Sequence, residues 1–182
     1  MVLGPSMTYT CACYPRPDAS LEEAQDNKYR LVFEKLRLKP GEEVLGTLQD
    51  FVVRHDIAAC TIVSSVGSLT HAAIRFANHD ETTLLEGHFE ICSLIGTLEC
   101  AAPGEALNGA EATAKGGAHV HLSISDGEGR MIGGHMMRGC RVYTTLEIVL
   151  LVMDELIFTR EPCDASGYYE LVIRAAPARH DQ

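Results

Sequence analysis

The stretch that decides the fold runs from His119 to His135 and reads His-Val-His-Leu-Ser-Ile-Ser-Asp-Gly-Glu-Gly-Arg-Met-Ile-Gly-Gly-His. Apolar Val120, Leu122 and Ile124 alternate with polar neighbours, the pattern of a strand with one face buried. Asp126-Gly127-Glu128-Gly129 is a turn signal, and Arg130 to Met137 returns as the second strand of a hairpin. His119 and His121 lie two apart, so on a strand they share a face, their Cα atoms about 7 Å apart. If the hairpin is centred near Glu128, His135 lies directly across from His121, with Cβ atoms about 4.5–5.5 Å apart. A centre one residue away sets His121 opposite Gly134 and turns His135 to the other face. The three imidazoles therefore converge or not according to register. If they converge, they suit zinc, which takes nitrogen ligands at about 2.0–2.1 Å and, with three histidines, leaves a fourth position for water. Gly116-Gly117 and Gly133-Gly134 precede His119 and His135. Glycine lets a backbone or a ligand approach closely, so these pairs either clear room beside a metal or mark strand bends.

Outward from the hairpin, strands dominate. Arg141 to Met153 is long and β-branched, and Glu155–Arg160 and Tyr168–Arg174 follow as two further strands. Upstream, Thr82–Glu86 and His88–Leu98 read as strands. Ala58–Val66 and Leu69–Phe76 read as a pair joined by a turn at Gly67-Ser68. Ala101 to Gly116, rich in Ala and Gly, reads as a long loop, either a functional lid or simply a mobile connection. Tyr29–Leu38 is a first strand. Lys39-Pro40-Gly41 breaks it, and the spacing of Val44, Leu48, Phe51, Val52 and His55 predicts an amphipathic helix over residues 41 to 55. Residues 1–27 read as an N-terminal tail, 28–175 as one domain and 176–182 as a C-terminal tail.

The bulk composition narrows the function classes. Of 182 residues, 15 are Lys or Arg and 25 are Asp or Glu, a formal charge of -10. Such a field opposes a polyanion, whereas duplex binding draws most of its non-specific affinity from basic side chains. Seven scattered cysteines with no C-x-x-C pair indicate a reducing compartment rather than a disulfide framework, hence the cytoplasm, or the nucleus in a eukaryote. No apolar run approaches the length of a membrane span, and the N-terminus does not read as a signal peptide.

Two carboxylates stand out as candidate general bases. Glu90 alternates with Phe89 and Ile91, and so faces away from them. Glu147 interrupts an otherwise apolar strand, where burial would demand a partner such as a ligating imidazole; an edge or inter-subunit salt bridge is the plainer reading. His55, His71, His79, His88 and His180 have no spacing partner. No Gly-x-Ser-x-Gly, Walker loop or dinucleotide fingerprint is present.

Gly87-His88-Phe89-Glu90-Ile91-Cys92-Ser93 resembles the Gly-Arg-Phe-Glu-Ile-Leu-Ser segment of plant proteins carrying the plants and prokaryotes conserved (PPC) domain. Ser125 to His135 resembles the His-x-His … Gly-Gly-His pattern of its bacterial and archaeal members, and the likeness runs from about Tyr29 to Arg174. The resemblance implies an α/β (α+β) fold: a mostly antiparallel β-sheet flanked by helices, assembled as a homotrimer. It also implies a metal held by His119, His121 and His135. Plant members bind AT-rich DNA through a separate Arg-Gly-Arg-Pro hook, which this chain lacks.

Three functions follow as expectations. One is a zinc (or other divalent-metal) trimer with a small-molecule site, in which Glu90 or Glu147 acts as base on a metal-bound water. Another is a regulatory scaffold acting through protein partners. Direct DNA binding ranks last on charge.

Overall fold

The computed structural model describes residues 34–100 and 116–177, with residue 16 and residues 18–20. The two expected tails and the 101–116 loop fall almost wholly outside them. In chain order the elements are β1 (Glu34–Leu38), α1 (Val44–Arg54), β2 (Cys60–Arg75), β3 (Thr83–Cys100), β4 (Gly116–Ser125), β5 (Met131–Met136), β6 (Arg141–Val152), β7 (Leu156–Cys163) and β8 (Tyr168–Ala175). The first six strands form one sheet in the order β1-β6-β2-β3-β4-β5, and every pairing in it is antiparallel. β5 also pairs with the end of β2 through Ile74–Met136 and Arg75–His135. Strands β2 to β5 thus curl until their outer edges meet, which removes an open edge. β7 and β8 form a separate hairpin.

The α+β class and the antiparallel sheet agree with expectation, but the described residues contain one helix rather than several. That helix starts at Val44, not at residue 41. Gly41 donates to the Val142 carbonyl, Val142 to that of Glu42, and Val44 to that of Cys140, so residues 41–44 spend their backbone groups on β6. Glu43 then caps the helix, its Oε2 accepting from the Gly46 amide at 2.6 Å. Val44, Leu45, Leu48 and Val52 are buried, while His55 lies outside against the Phe51 ring.

The expected turn at Gly67-Ser68 does not form. β2 runs on through it, with register shifts against β6 between Gly67 and Leu69 and between Leu69 and His71. Gly67 serves close approach: a Cβ there would lie 2.3 Å from the Thr145 carbonyl oxygen. β3 likewise runs unbroken through Gly87. Pro162, expected between strands, lies within β7, tolerable because a two-stranded hairpin has only edges.

Leu94, Leu98, Val120, Leu122 and Ile124 of β3 and β4 and Leu146 and Ile148 of β6 share one buried core with Val44, Leu45, Leu48 and Val52 of the helix, which packs on β3 and β4. Each such side chain contributes about 1.5–3 kcal/mol. The same core buries two thiols. Burial, reinforced by nearby Glu99, pushes Cys60 up to about 12, and burial pushes Cys140 to about 11. Cys92 is exposed, and hydrogen bonds from Ser166 hold Cys163 below the ordinary thiol range. Because the thiolate is the nucleophile, iodoacetamide under native, mildly alkaline conditions is expected to label Cys92 and Cys163 and spare Cys60 and Cys140 until denaturant is added. Site-resolved mass spectrometry reads the result, and native labelling of Cys60 would contradict this packing.

Candidate metal centre

The hairpin register is set at its turn. The Asp126 carboxylate accepts from the Glu128 amide at 2.9 Å, the Arg130 amide at 3.0 Å and Arg130 Nε at 2.8 Å. These bonds, the Arg130 side chain first, hold its carboxyl below the usual range. Gly129 takes the left-handed conformation that the turn requires (φ 78°). The ladder that follows pairs Ser125 with Met131, Ile124 with Ile132 and His121 with His135. This is the register that brings the three histidines onto one face.

Val120, Leu122 and Met136 point into the core, so His119, His121 and His135 stand on the outer face. His119 and His121 are exposed and His135 is half-buried. Ring centroids are 4.9 to 5.4 Å apart, and one nitrogen from each ring lies within 4.8 Å of the others. Two nitrogens on a tetrahedral zinc, at about 2.0–2.1 Å each, are about 3.3 Å apart. His119 Nε2 and His121 Nε2 already stand at 3.3 Å. The donor set therefore fits a divalent ion, with the third ring offering its nitrogen inside the same 4.8 Å cluster.

Gly133 and Gly134 permit backbone approach, while Gly117 makes room for the Glu99 side chain, whose Oε1 would lie 2.4 Å from a Cβ there. A Cβ on Gly134 would meet the Arg75 carbonyl oxygen at 2.7 Å, so the glycine lets β5 close onto β2. Gly96 on β3 faces Val120, and a Cβ there would lie 2.1 Å from the His119 carbonyl oxygen.

Neither carboxylate singled out from sequence is brought beside the histidines. Glu90 is exposed on the same face but pairs with Ser125, four residues along β4 from His121, about 13 Å at the backbone. Glu147 is exposed on β6, opposite Arg37 and Val66, and two strands separate it from β4. His88 stacks on Tyr143, centroids 4.2 Å apart, and is not part of the cluster.

Sequence reading missed Glu99. On β3, Thr97 pairs with His119 and Glu99 with Gly117, so Glu99 emerges on the histidine face, two residues along. It is fully buried: Arg160 of β7 reaches over it, Nε to Oε1 3.0 Å, and also donates to Thr97 Oγ1 at 2.7 Å. Its Oε2 has no hydrogen-bond partner among the described residues. Burial pushes its carboxyl up, against the pull of Arg160. An alternation count from His119 would have found it only with the β3–β4 register known, and the segment joining those strands is too long to fix one.

Residues 34–154 match the Plants and Prokaryotes Conserved (PCC) domain. A bifunctional protein GlmU of Synechococcus is 38% identical over 138 residues, covering 76% of this chain but only 20% of that protein. The chain thus corresponds to about one fifth of the length of such relatives. A solved hypothetical protein from Salmonella superposes with a TM-score of 0.69 at 45% identity, covering 79% of this chain and 93% of that one. A metal-containing protein from Archaeoglobus fulgidus shares the fold, with a TM-score of 0.59 at 22% identity over 77% of this chain and 92% of that one. No helix among the described residues is long and apolar enough to cross a membrane.

Proposed function

Because the chain belongs to the Plants and Prokaryotes Conserved domain family, we propose that it is a metal-binding domain in which His119, His121 and His135 hold zinc or another divalent ion. The observation that carries this is the 3.3 Å separation of His119 Nε2 and His121 Nε2, with the third ring inside the same 4.8 Å cluster. A bound ion would supply a Lewis acid with a position open to water or a small ligand. The hairpin residues orient the rings, and the Leu122–Met136 layer beneath them excludes water from one side. The metal-containing Archaeoglobus protein of the same fold supports the reading.

The test is metal content. Untagged protein offered zinc is expected to retain close to one ion per chain by mass spectrometry. The variant with His119, His121 and His135 all changed to Ala is expected to retain none while keeping its circular dichroism. Equal metal in both proteins would sink the reading.

A homotrimer is part of the proposal. Val63, Val66 and Ile95 are each more than half exposed, and an assembly would cover such residues. Sedimentation equilibrium checks it: a species of one chain's mass with metal present would refute it. A second reading, a regulatory or oligomerisation module acting through protein partners, is favoured by the relatives in which the matching segment is one fifth of a larger protein. Assembly unaffected by metal removal would favour that reading. The charge of -10 argues against direct DNA contact.

A further inference from the structure

β5 lies between β4 and the end of β2, so His135 has two cross-strand neighbours, His121 on one side and Arg75 on the other. Directly opposed residues of an antiparallel pair share a face, with Cβ atoms about 4.5–5.5 Å apart. Arg75 therefore emerges beside the histidine cluster, at its β2 margin. Of the described arginines, two are half-buried, Arg75 and Arg160. Arg160 is satisfied by the buried Glu99 carboxylate at 3.0 Å. Among the described residues no carboxylate lies within ion-pair distance of Arg75, and its guanidinium makes no hydrogen bond. A guanidinium with no counter-charge of its own has an anion as its natural complement.

We infer that the site takes a carboxylate-bearing small molecule, with one carboxylate oxygen at the open metal position and the other on the Arg75 guanidinium. The inference rests on the metal reading above. Three neutral imidazoles leave a divalent ion its full charge, so the ion and Arg75 together form a strongly positive spot on a chain of net charge -10. An anion bridging the two relieves their repulsion. The planar guanidinium fork matches a carboxylate, and one open metal position with one cation beside it offers two contacts for two oxygens.

The experiment uses the full chain loaded with cobalt(II), whose visible absorption reports changes at the metal, titrated with acetate. In the native protein acetate is expected to shift the cobalt bands saturably. Arg75→Met is expected to weaken acetate binding about ten- to hundredfold at unchanged cobalt content, the loss of one charge-assisted contact. Arg75→Lys, which keeps the charge but not the fork, is expected to fall between. Equal acetate affinity in native and Arg75→Met protein, both loaded, overturns the inference alone. Phosphate shifting the bands where acetate does not overturns the carboxylate assignment. Failure of the native protein to take up cobalt overturns the metal reading and this inference with it.

Discussion

Gly96→Ala is expected to lower the unfolding free energy by about 3 kcal/mol or more and to weaken metal binding in whatever protein still folds, because one atom is added where two backbones touch. The new Cβ would stand 2.1 Å from the His119 carbonyl oxygen and 2.7 Å from the Val120 Cα. Neither is the far end of a flexible side chain, so β4 itself must move. It carries His119 and His121, and the fit for zinc depends on nitrogen positions within a few tenths of an ångström. Chemical denaturation measures the first effect, and competition with a zinc chelator the second. Gly127→Ala is the control: nothing lies within 4 Å of a Cβ there, and the expected change is within about 0.5 kcal/mol. Equal stability of the two variants would mean that β3 and β4 do not meet at Gly96 as described.

The second large effect is expected at the Glu99–Arg160 pair. Arg160→Met leaves a fully buried carboxylate without its cation, and breaking a buried pair from one side costs about 3–5 kcal/mol. The double variant Glu99→Leu with Arg160→Met removes both charges and is expected to recover most of that loss, since a well-packed apolar replacement of a buried pair is often neutral. The pH dependence has a definite sign. Burial raises the Glu99 carboxyl above its ordinary value. As pH rises from that value through the raised one, the folded state holds a proton that the unfolded state has released, and stability falls. Removing Arg160 takes away what lowers this pKa, so the deficit of Arg160→Met is expected to shrink as pH drops and carboxylic acid replaces carboxylate. Denaturation across a pH series reads both. A deficit that grows towards low pH would show that Glu99 is not the group responsible.

Part of this molecule is legible from local sequence. The hairpin is, as two strands joined by the turn at Asp126–Gly129, and the period of two puts His119 and His121 on one face. Two registers are open from sequence, and the structure decides between them: Asp126 accepts from the amides of Glu128 and Arg130, and His135 pairs with His121. The helix at Val44–Arg54 is legible because its period resides in eleven consecutive residues. It starts later than the spacing alone predicts because the amides of Gly41 and Val44 donate to the carbonyls of Val142 and Cys140, far along the chain.

What only the tertiary structure decides are the pairings between distant strands. Gly67 and Gly87 look like turn residues in isolation. β2 stays extended at Gly67 because it pairs with Leu146, where the missing side chain admits the Thr145 carbonyl, and β3 runs on past Gly87 through a register shift against β2. Glu90 stands out by its alternation and Glu147 by interrupting an apolar strand, but β3 sets Glu90 opposite Ser125, four residues along β4 from His121, and Glu147 lies on β6. Glu99 and Arg75 flank the histidines from β3 and β2. Alternation along one strand determines which face a residue takes. Which residue stands beside it on the next strand is a matter of register across a long connection, and register is set by the packing of the whole sheet.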